Sequence, residues 1–193
     1  MDAVACVAIA NALAFDADSL RTPKTGFPLT FACLLIVDAA RLLPAITQVH
    51  SYAVRAWEVT ALFLFVDAMQ YVLHRCMHRW CSWSHAIHHT YRVPSQKTAF
   101  HTGWLDASVQ LLAPMYAAVW TVAPQRGSLI CFGVLYSVWL QWIHIPRPRH
   151  TPLEARLHAI GFVTPSFHQV HHKDPRKHFG HFVQAWDCIG GTC

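Results

Sequence analysis

Charge is scarce in this sequence. Asp, Glu, Lys and Arg make up 13% of its 193 residues, where a soluble domain carries about 25%. With 54% apolar residues and a mean hydropathy of +0.27, too little polar surface remains to face water, and a bilayer is the expected setting. A secretory leader is also not apparent: Asp2 stands where a basic segment belongs, and the apolar stretch from Val4 to Phe15 is interrupted by Asn11. The seven cysteines follow no regular spacing. That excludes a C-x-x-C metal site and a sequence-readable disulfide framework. Cys76 and Cys81, close to the histidines discussed below, are read with the rest as reduced thiols that pack as small hydrophobes. There is no low-complexity tract. A net charge of +5 is too modest to suggest a nucleic-acid partner, and none is expected.

Histidine, by contrast, is abundant, at 15 residues. Eight fall in three clusters: His74-Arg-Cys-Met-His78, His85-Ala-Ile-His88-His89 and His168-Gln-Val-His171-His172. On a helix, residues at i, i+3 and i+4 share one face, so each cluster can aim its imidazoles at one point. The H-x-x-H-H spacing occurs twice, and no other internal repeat is found. Two or three nitrogens from each of three segments suffice for a pair of metal ions. They exceed the four ligands of a closed zinc site. Imidazole suits iron, copper, zinc and nickel, and spacing alone does not choose among them. The number of ligands and their place beside apolar segments suit dioxygen activation for attack on an unreactive C–H bond, which favours iron.

The expected fold is all-α: an integral membrane helical bundle of about four spans with a cytosolic, histidine-rich cap. Leu105 to Ala123 and Ser128 to Ile145 are close to the ~20 residues a crossing needs. Pro124-Gln125-Arg126-Gly127 between them makes a helical hairpin. Trp57 to Leu73, carrying Glu58 and Asp67, and Phe27 to Val49, carrying Asp38 and Arg41, are weaker candidates whose charges should face protein. The hairpin returns the chain to the side it left, so all three clusters can meet at one membrane face. Residues 1–56 are read as an N-terminal segment with one span, and 57–193 as the metal-binding domain. Arg75, Arg79, Arg92, Lys97, Arg147, Arg149, Lys173, Arg176 and Lys177 flank the histidine segments. They mark the cytosolic side and offer a surface to anionic headgroups or an acidic redox partner.

The stretch Asp67-Ala-Met-Gln-Tyr71-Val-Leu-His74-Arg-Cys-Met-His78, followed by His85-Ala-Ile-His88-His89, resembles the fatty acid hydroxylase/sterol desaturase superfamily. So do Thr164-Pro165-Ser-Phe-His168-Gln-Val-His171-His172 and the closing Trp186-Asp187-Cys-Ile-Gly-Gly191-Thr192. Leu135 to His144 is most similar to the alkylglycerol monooxygenase branch, and the first cluster to sphingoid-base C4-hydroxylases. The resemblance covers roughly residues 60 to 192. It implies a membrane-bound non-haem di-iron oxidase with two Fe ions, zinc being an occupant after purification. The same resemblance implies a lipid substrate, O2, and electrons from cytochrome b5 or a reductase. It implies the endoplasmic reticulum, with the site facing the cytosol, or the cell membrane in a bacterium. The implied ligands are His74, His78, His85, His88, His89, His144, His168, His171 and His172. Asp67 and Tyr71 are implied to orient ligands by hydrogen bonds.

Three departures from the pattern bear on function. Ala99 to Asp106 places His101 two positions ahead of the family's histidine, leaving it open as ligand or support, with Asp106 at the acidic position. His178-Phe179-Gly180 replaces N-Y-G, and Gly190-Gly191-Thr192 replaces F-G-T. His178 and His181 are candidates for supporting or solvated roles, with His178 left open as a ligand, while His50, His150 and His158 are read as surface or interfacial. The eight tryptophans lie mostly near expected span ends, as interfacial anchors do. Two functions compete: O2-dependent hydroxylation or desaturation of a lipid, and a catalytically inactive membrane metal-binding or scaffold relative. A transporter is disfavoured, because its polar groups would sit at mid-membrane.

Overall fold

A computed structural model describes residues 51–146 and 151–193. The expected span at Phe27–Val49, most of the 1–56 segment, His50, His150, Arg147 and Arg149 lie outside the described residues. Within them the protein is helical. The elements are α1 (Ala56–Trp80), α2 (Ser82–His85), α3 (Trp104–Ala107), α4 (Ala113–Val122), α5 (Arg126–Ile143), α6 (Pro152–Ala159), α7 (Pro165–Lys173) and α8 (Ala185–Gly190). Short 3-10 turns occupy His88–Thr90 and Gln96–Thr98, and a π-helical turn, Ser108–Leu112, joins α3 to α4. Among the described residues there is no strand, only an antiparallel bridge between Phe162 and Val183.

Helix α1 organises the rest. Its buried residues Glu58, Leu62, Val66, Asp67, Gln70, Tyr71, His74 and Met77 recur every three or four positions, so one face is sunk in protein. The helix is apolar at its start and functional at its end. Its first turn is tied to the hairpin corner: the main-chain N–H of Gln125 donates to Glu58 at 2.9 Å and that of Arg55 to the Ser128 hydroxyl at 2.9 Å. Gly127 is required at that corner, because a Cβ there would run into the Tyr52 carbonyl. The core below contains Leu62, Val66, Ala118, Phe132, Tyr136, Leu140 and Ile143. The Phe63 ring meets Phe132 and Phe182 edge-on at 4.8 Å each, a favoured aromatic geometry.

Helices α4 and α5 follow one another where the hairpin was expected, Ala123 in the left-handed region at φ 47° ends α4, and each of the two packs on α1. Three of the four expected spans fall on described residues: Trp57 to Leu73 lies within α1, Leu105 to Ala123 is covered by α3, the π-turn and α4, and Ser128 to Ile145 lies mostly in α5. Among the described residues, Ala56–Trp80 alone is long and apolar enough to cross a membrane by length and composition. At 1.5 Å per residue its 25 residues reach about 37 Å. The hairpin's first arm is divided by the π-turn, and its second is 18 residues beginning at Arg126. Hydropathy alone reveals neither feature.

A capping box at Thr151 and Glu154 starts α6. The buried Glu154 carboxylate also accepts the Ser166 hydroxyl at 2.9 Å, fixing the first turn of α7. One expectation about cysteine is corrected. Cys188 and Cys193 form a disulfide rather than two thiols, since Gly191, left-handed at φ 67°, turns the chain and brings their Cα atoms to 5.2 Å. Cys76, Cys81 and Cys131 are free.

Candidate metal centre

The nine histidines expected as ligands collect in two adjoining groups at the end of α1. His74, His78, His85, His89 and His171 form one; His88, His144, His168 and His172 form the other. Within each group the ligand nitrogens lie within 4.8 Å of one another. The two groups abut, with the His89 and His172 rings 4.8 Å apart.

The grouping follows the spacing. In both H-x-x-H-H motifs the i and i+4 histidines stay together while the i+3 histidine crosses to the other group. His85 and His89 join the five, and His88 joins the four. His168 and His172 join the four, and His171 joins the five. Two residues four apart are closer to one line along a helix than two residues three apart. The second motif is not one helix, however. His85 ends α2 and His88 opens a 3-10 turn, and the His88 and His89 rings stand at 89° to each other.

The nitrogens face inward at ligand spacing. Nε2–Nε2 distances are 2.9 Å for His74–His85, 3.1 Å for His85–His89 and 3.2 Å for His78–His171. In the other group they are 3.4 Å for His88–His144, 3.1 Å for His144–His168 and 3.2 Å for His168–His172. Two nitrogens each about 2.1 Å from one ion, at right angles, would be about 3.0 Å apart. The donor set therefore fits a transition-metal ion in each group.

The opposite ring nitrogen is pinned in six cases. The Nδ1 atoms face the carbonyls of Phe179 for His74 (2.9 Å), His101 for His88 (3.3 Å), Leu140 for His144 (2.6 Å), Lys177 for His171 (2.7 Å) and Tyr91 for His172 (3.1 Å). His85 Nδ1 is 2.9 Å from each oxygen of Asp106. A carbonyl or carboxylate requires the proton on Nδ1, which leaves the Nε2 lone pair directed into the group. Burial is the main cause that holds His85 and His89 down at about 3, with repulsion from neighbouring imidazoles adding to it. Burial likewise drives His88, His168, His171 and His172 far below the usual 6.5. These rings are neutral near pH 7 and available as ligands.

The remaining predicted residues support from further out. Asp67 does not touch a histidine ring. It accepts the main-chain N–H groups of His181 (3.2 Å), Phe182 (3.0 Å) and Val183 (3.0 Å) and the Trp186 indole N–H (3.0 Å). That corrects the expectation that it orients a ligand directly. Tyr71 likewise makes its hydrogen bonds to residues other than the histidines. Its hydroxyl meets Thr192 Oγ1 at 3.0 Å and accepts from Arg75 at 3.0 Å. His101 lies outside both groups. Its carbonyl receives His88 while its ring meets Tyr91 edge-on at 5.2 Å. His178 is also outside them, stacked on Phe167 at 3.7 Å with φ 58°. Histidine tolerates the left-handed region better than most side chains, as does the family's asparagine. Gly190 accounts for the missing phenylalanine, because a Cβ at that position would overlap the Tyr71 hydroxyl.

Two parts of the site, Asp106 and Asp187, were not read as such from the sequence, and His181, a candidate for a supporting role, takes one. Asp106, noted only as occupying the acidic position, is the partner of His85 and also accepts the Thr102 hydroxyl. Asp187 accepts the N–H of Phe179 at 2.7 Å and of Gly180 at 2.8 Å, and so aims the Phe179 carbonyl at His74. His181 stacks on His74 at 5.0 Å and stands 5.8 Å from His168, between the two groups. The W-D pair was a sequence signal for Asp187; carbonyl partners have none.

Two cavities adjoin the cage. One, of about 760 Å³, opens beside His78 and is flanked by Arg75, Arg79 and Arg176. The other, of about 50 Å³, reaches His85, His88 and His144 and is walled by Gln70, Asp106 and Gln110 as well as Phe100, Leu111 and Leu140.

A model of the fatty acid hydroxylase family matches residues 59–192. An alternative squalene epoxidase of Phaeodactylum tricornutum is 26% identical over 179 residues, which span 86% of this chain and 49% of that one. The sphingolipid C4-hydroxylase SUR2 of Saccharomyces cerevisiae is 40% identical over 75 residues, covering 36% of this chain and 22% of that one. The chain thus spans about half or less of the length of these curated relatives. No solved structure matches.

Proposed function

The chain belongs to the fatty acid hydroxylase family, and on that premise we propose that it is a membrane-bound, non-haem di-iron oxidoreductase that hydroxylates or desaturates a lipid C–H bond with O2. The observation that carries this reading is the pair of inward-facing nitrogen sets, five and four histidines, with Nε2 contacts at metal-ligand spacing. His74, His78, His85, His89 and His171 would hold one iron, and His88, His144, His168 and His172 the other. Irons bound there supply dioxygen activation and removal of hydrogen from an unactivated carbon.

The chain's own residues do the rest. Asp106 and five main-chain carbonyls keep each proton on Nδ1, so that Nε2 remains a ligand atom. Asp67 on α1, Trp139 on α5 and Asp187 on α8 hold the 179–183 segment in place, the Trp139 indole donating to the His181 carbonyl at 2.8 Å. The buried cage excludes water from the reacting carbon. Hydroxylation consumes O2, two electrons and two protons per C–H and yields the alcohol and water; desaturation with the same inputs yields a double bond and two waters.

The setting follows from surface chemistry. Leu64, Val72, Trp120, Leu135 and Val138 are large, apolar and exposed on α1, α4 and α5, which suits contact with lipid. Trp57, Trp80 and Trp83 are exposed at the ends of α1 or just beyond, where interfacial anchors belong. The hairpin is read as a further membrane-embedded element of the 57–193 domain. Arg75, Arg79 and Arg176 beside the cage support a cytosolic-facing site, in the endoplasmic reticulum or a bacterial cell membrane. They also suit an acidic electron donor such as cytochrome b5 or a reductase. Protein purified in lipid should contain two irons per chain and consume O2 only with lipid and a reductant. Zinc alone, with no O2 consumption under any reductant, would assign the chain to the inactive metal-binding or scaffold reading.

A further inference from the structure

The smaller cavity against the cage is lined by polar and apolar side chains together. Gln70 and Gln110 both line it, and they are 1% and 8% exposed. Gln70 Nε2 donates to the Gln110 main-chain carbonyl at 2.7 Å and to the Tyr136 hydroxyl. Gln70 Oε1 has no protein partner, and neither does Oε1 or Nε2 of Gln110. Buried amide groups without partners are rare and costly in a folded protein. Gln110 lies in the π-helical turn Ser108–Leu112. Such turns insert one extra residue into a helix and are frequent at functional sites. The same cavity, of about 50 Å³, is walled by His85 and His88, one from each histidine group, so a small polar group lodged between the two glutamines lies against both.

We propose that Gln110, held beside Gln70 and Tyr136, is a specificity-determining residue. It would bind a neutral hydroxyl or amide group on the lipid, a few bonds from the carbon that is oxidised. The two glutamines together present unpaired acceptors and an unpaired donor. A hydroxyl or secondary amide offers both complements, whereas a carboxylate offers only acceptors and a hydrocarbon offers neither. A site built to pair with a polar group discriminates strongly against an analogue that lacks it. This inference rests on the lipid-oxidase reading and narrows its substrate to lipids with a hydrogen-bonding group near the reacting carbon.

The test is equilibrium binding to iron-loaded protein in lipid nanodiscs, with dihydrosphingosine as the hydroxyl-bearing probe and squalene as the hydrocarbon. Bound iron is measured on the same samples. The wild-type chain should bind dihydrosphingosine at least tenfold more tightly than squalene. Gln110→Met should remove most of that difference, with squalene binding and iron content within twofold of wild type. Gln110→Glu, the same size but lacking the donor, should lose a comparable share. Equal affinity for the two probes, preference for squalene, or no binding of either overturns the proposal. So does an equal loss for both probes in Gln110→Met. If neither variant folds, the wild-type comparison decides alone. Protein that shows the preference but carries no iron and consumes no O2 would instead refute the oxidase reading.

Discussion

Replacing Asp106 by asparagine isolates one hydrogen bond of the cage. His85 Nδ1 lies 2.9 Å from both carboxylate oxygens, and both partners are almost fully buried. Asparagine preserves size but removes the charge and can present an N–H to the ring. His85 is then driven toward the tautomer with the proton on Nε2, the atom 2.9 Å from His74 and 3.1 Å from His89. That tautomer cannot ligate from Nε2. A hydrogen bond to a charged group contributes about 1.5–3 kcal/mol, and loss of such a partner lowers metal affinity about 10–100-fold. A tenfold change corresponds to about 1.4 kcal/mol, so the two figures agree. The assay is retained iron after equilibration with graded chelator. Asp106→Asn should release the first iron at about 10–100-fold lower chelator strength than wild type, the second being less affected. Wild-type retention of both irons would refute the argument that Asp106 sets the His85 tautomer.

Three further outcomes follow from the same geometry. His88→Ala and His171→Ala should each abolish turnover while weakening metal at opposite groups, so that residual-metal spectra of the two variants differ; identical spectra would contradict the crossing of the i+3 histidines. Asp67→Ala leaves three main-chain N–H groups and the Trp186 indole without an acceptor, and should lower stability by on the order of 3 kcal/mol in a denaturant titration. Because His85 and His89 are held at about 3 in the folded protein, below the usual 6.5, the unfolded chain binds more protons between those values. The metal-free protein should therefore keep its full stability above pH 6.5 and lose it steadily as pH falls toward 3, read as a falling melting temperature. A flat profile would contradict burial of neutral rings.

Much of the cage was legible because histidine at i and i+4 recurs in three segments, with i+3 also filled in two of them, and that is hard to account for except as a set of metal ligands. His144 was reached only through resemblance, as a lone histidine at the end of an apolar stretch. The division into five and four was not drawn from the sequence: at His168–His172 it follows helix geometry, but at His85–His89 the same split runs through a 3-10 turn that no residue there announces. Asp67 and Tyr71 were placed one layer too close to the rings. Motif position carries no information on whether a carboxylate meets a side chain or a main-chain amide. The helical class followed from composition and period. The broken first arm of the hairpin did not, because a π-turn within Leu105 to Ala123 leaves hydropathy unchanged.

The chain's return onto α1 also sets when the cage can be assembled. Phe179 orients His74, residues 181–183 rest on Asp67, and Thr192 meets Tyr71. A nascent chain that has already threaded α1 into place therefore holds an unfinished pocket until the ribosome has passed residue 192. Any cation bound beside His74 would then be taken up only after this region has been made, and until then the exposed imidazoles of the growing polypeptide are open to whatever ion arrives first.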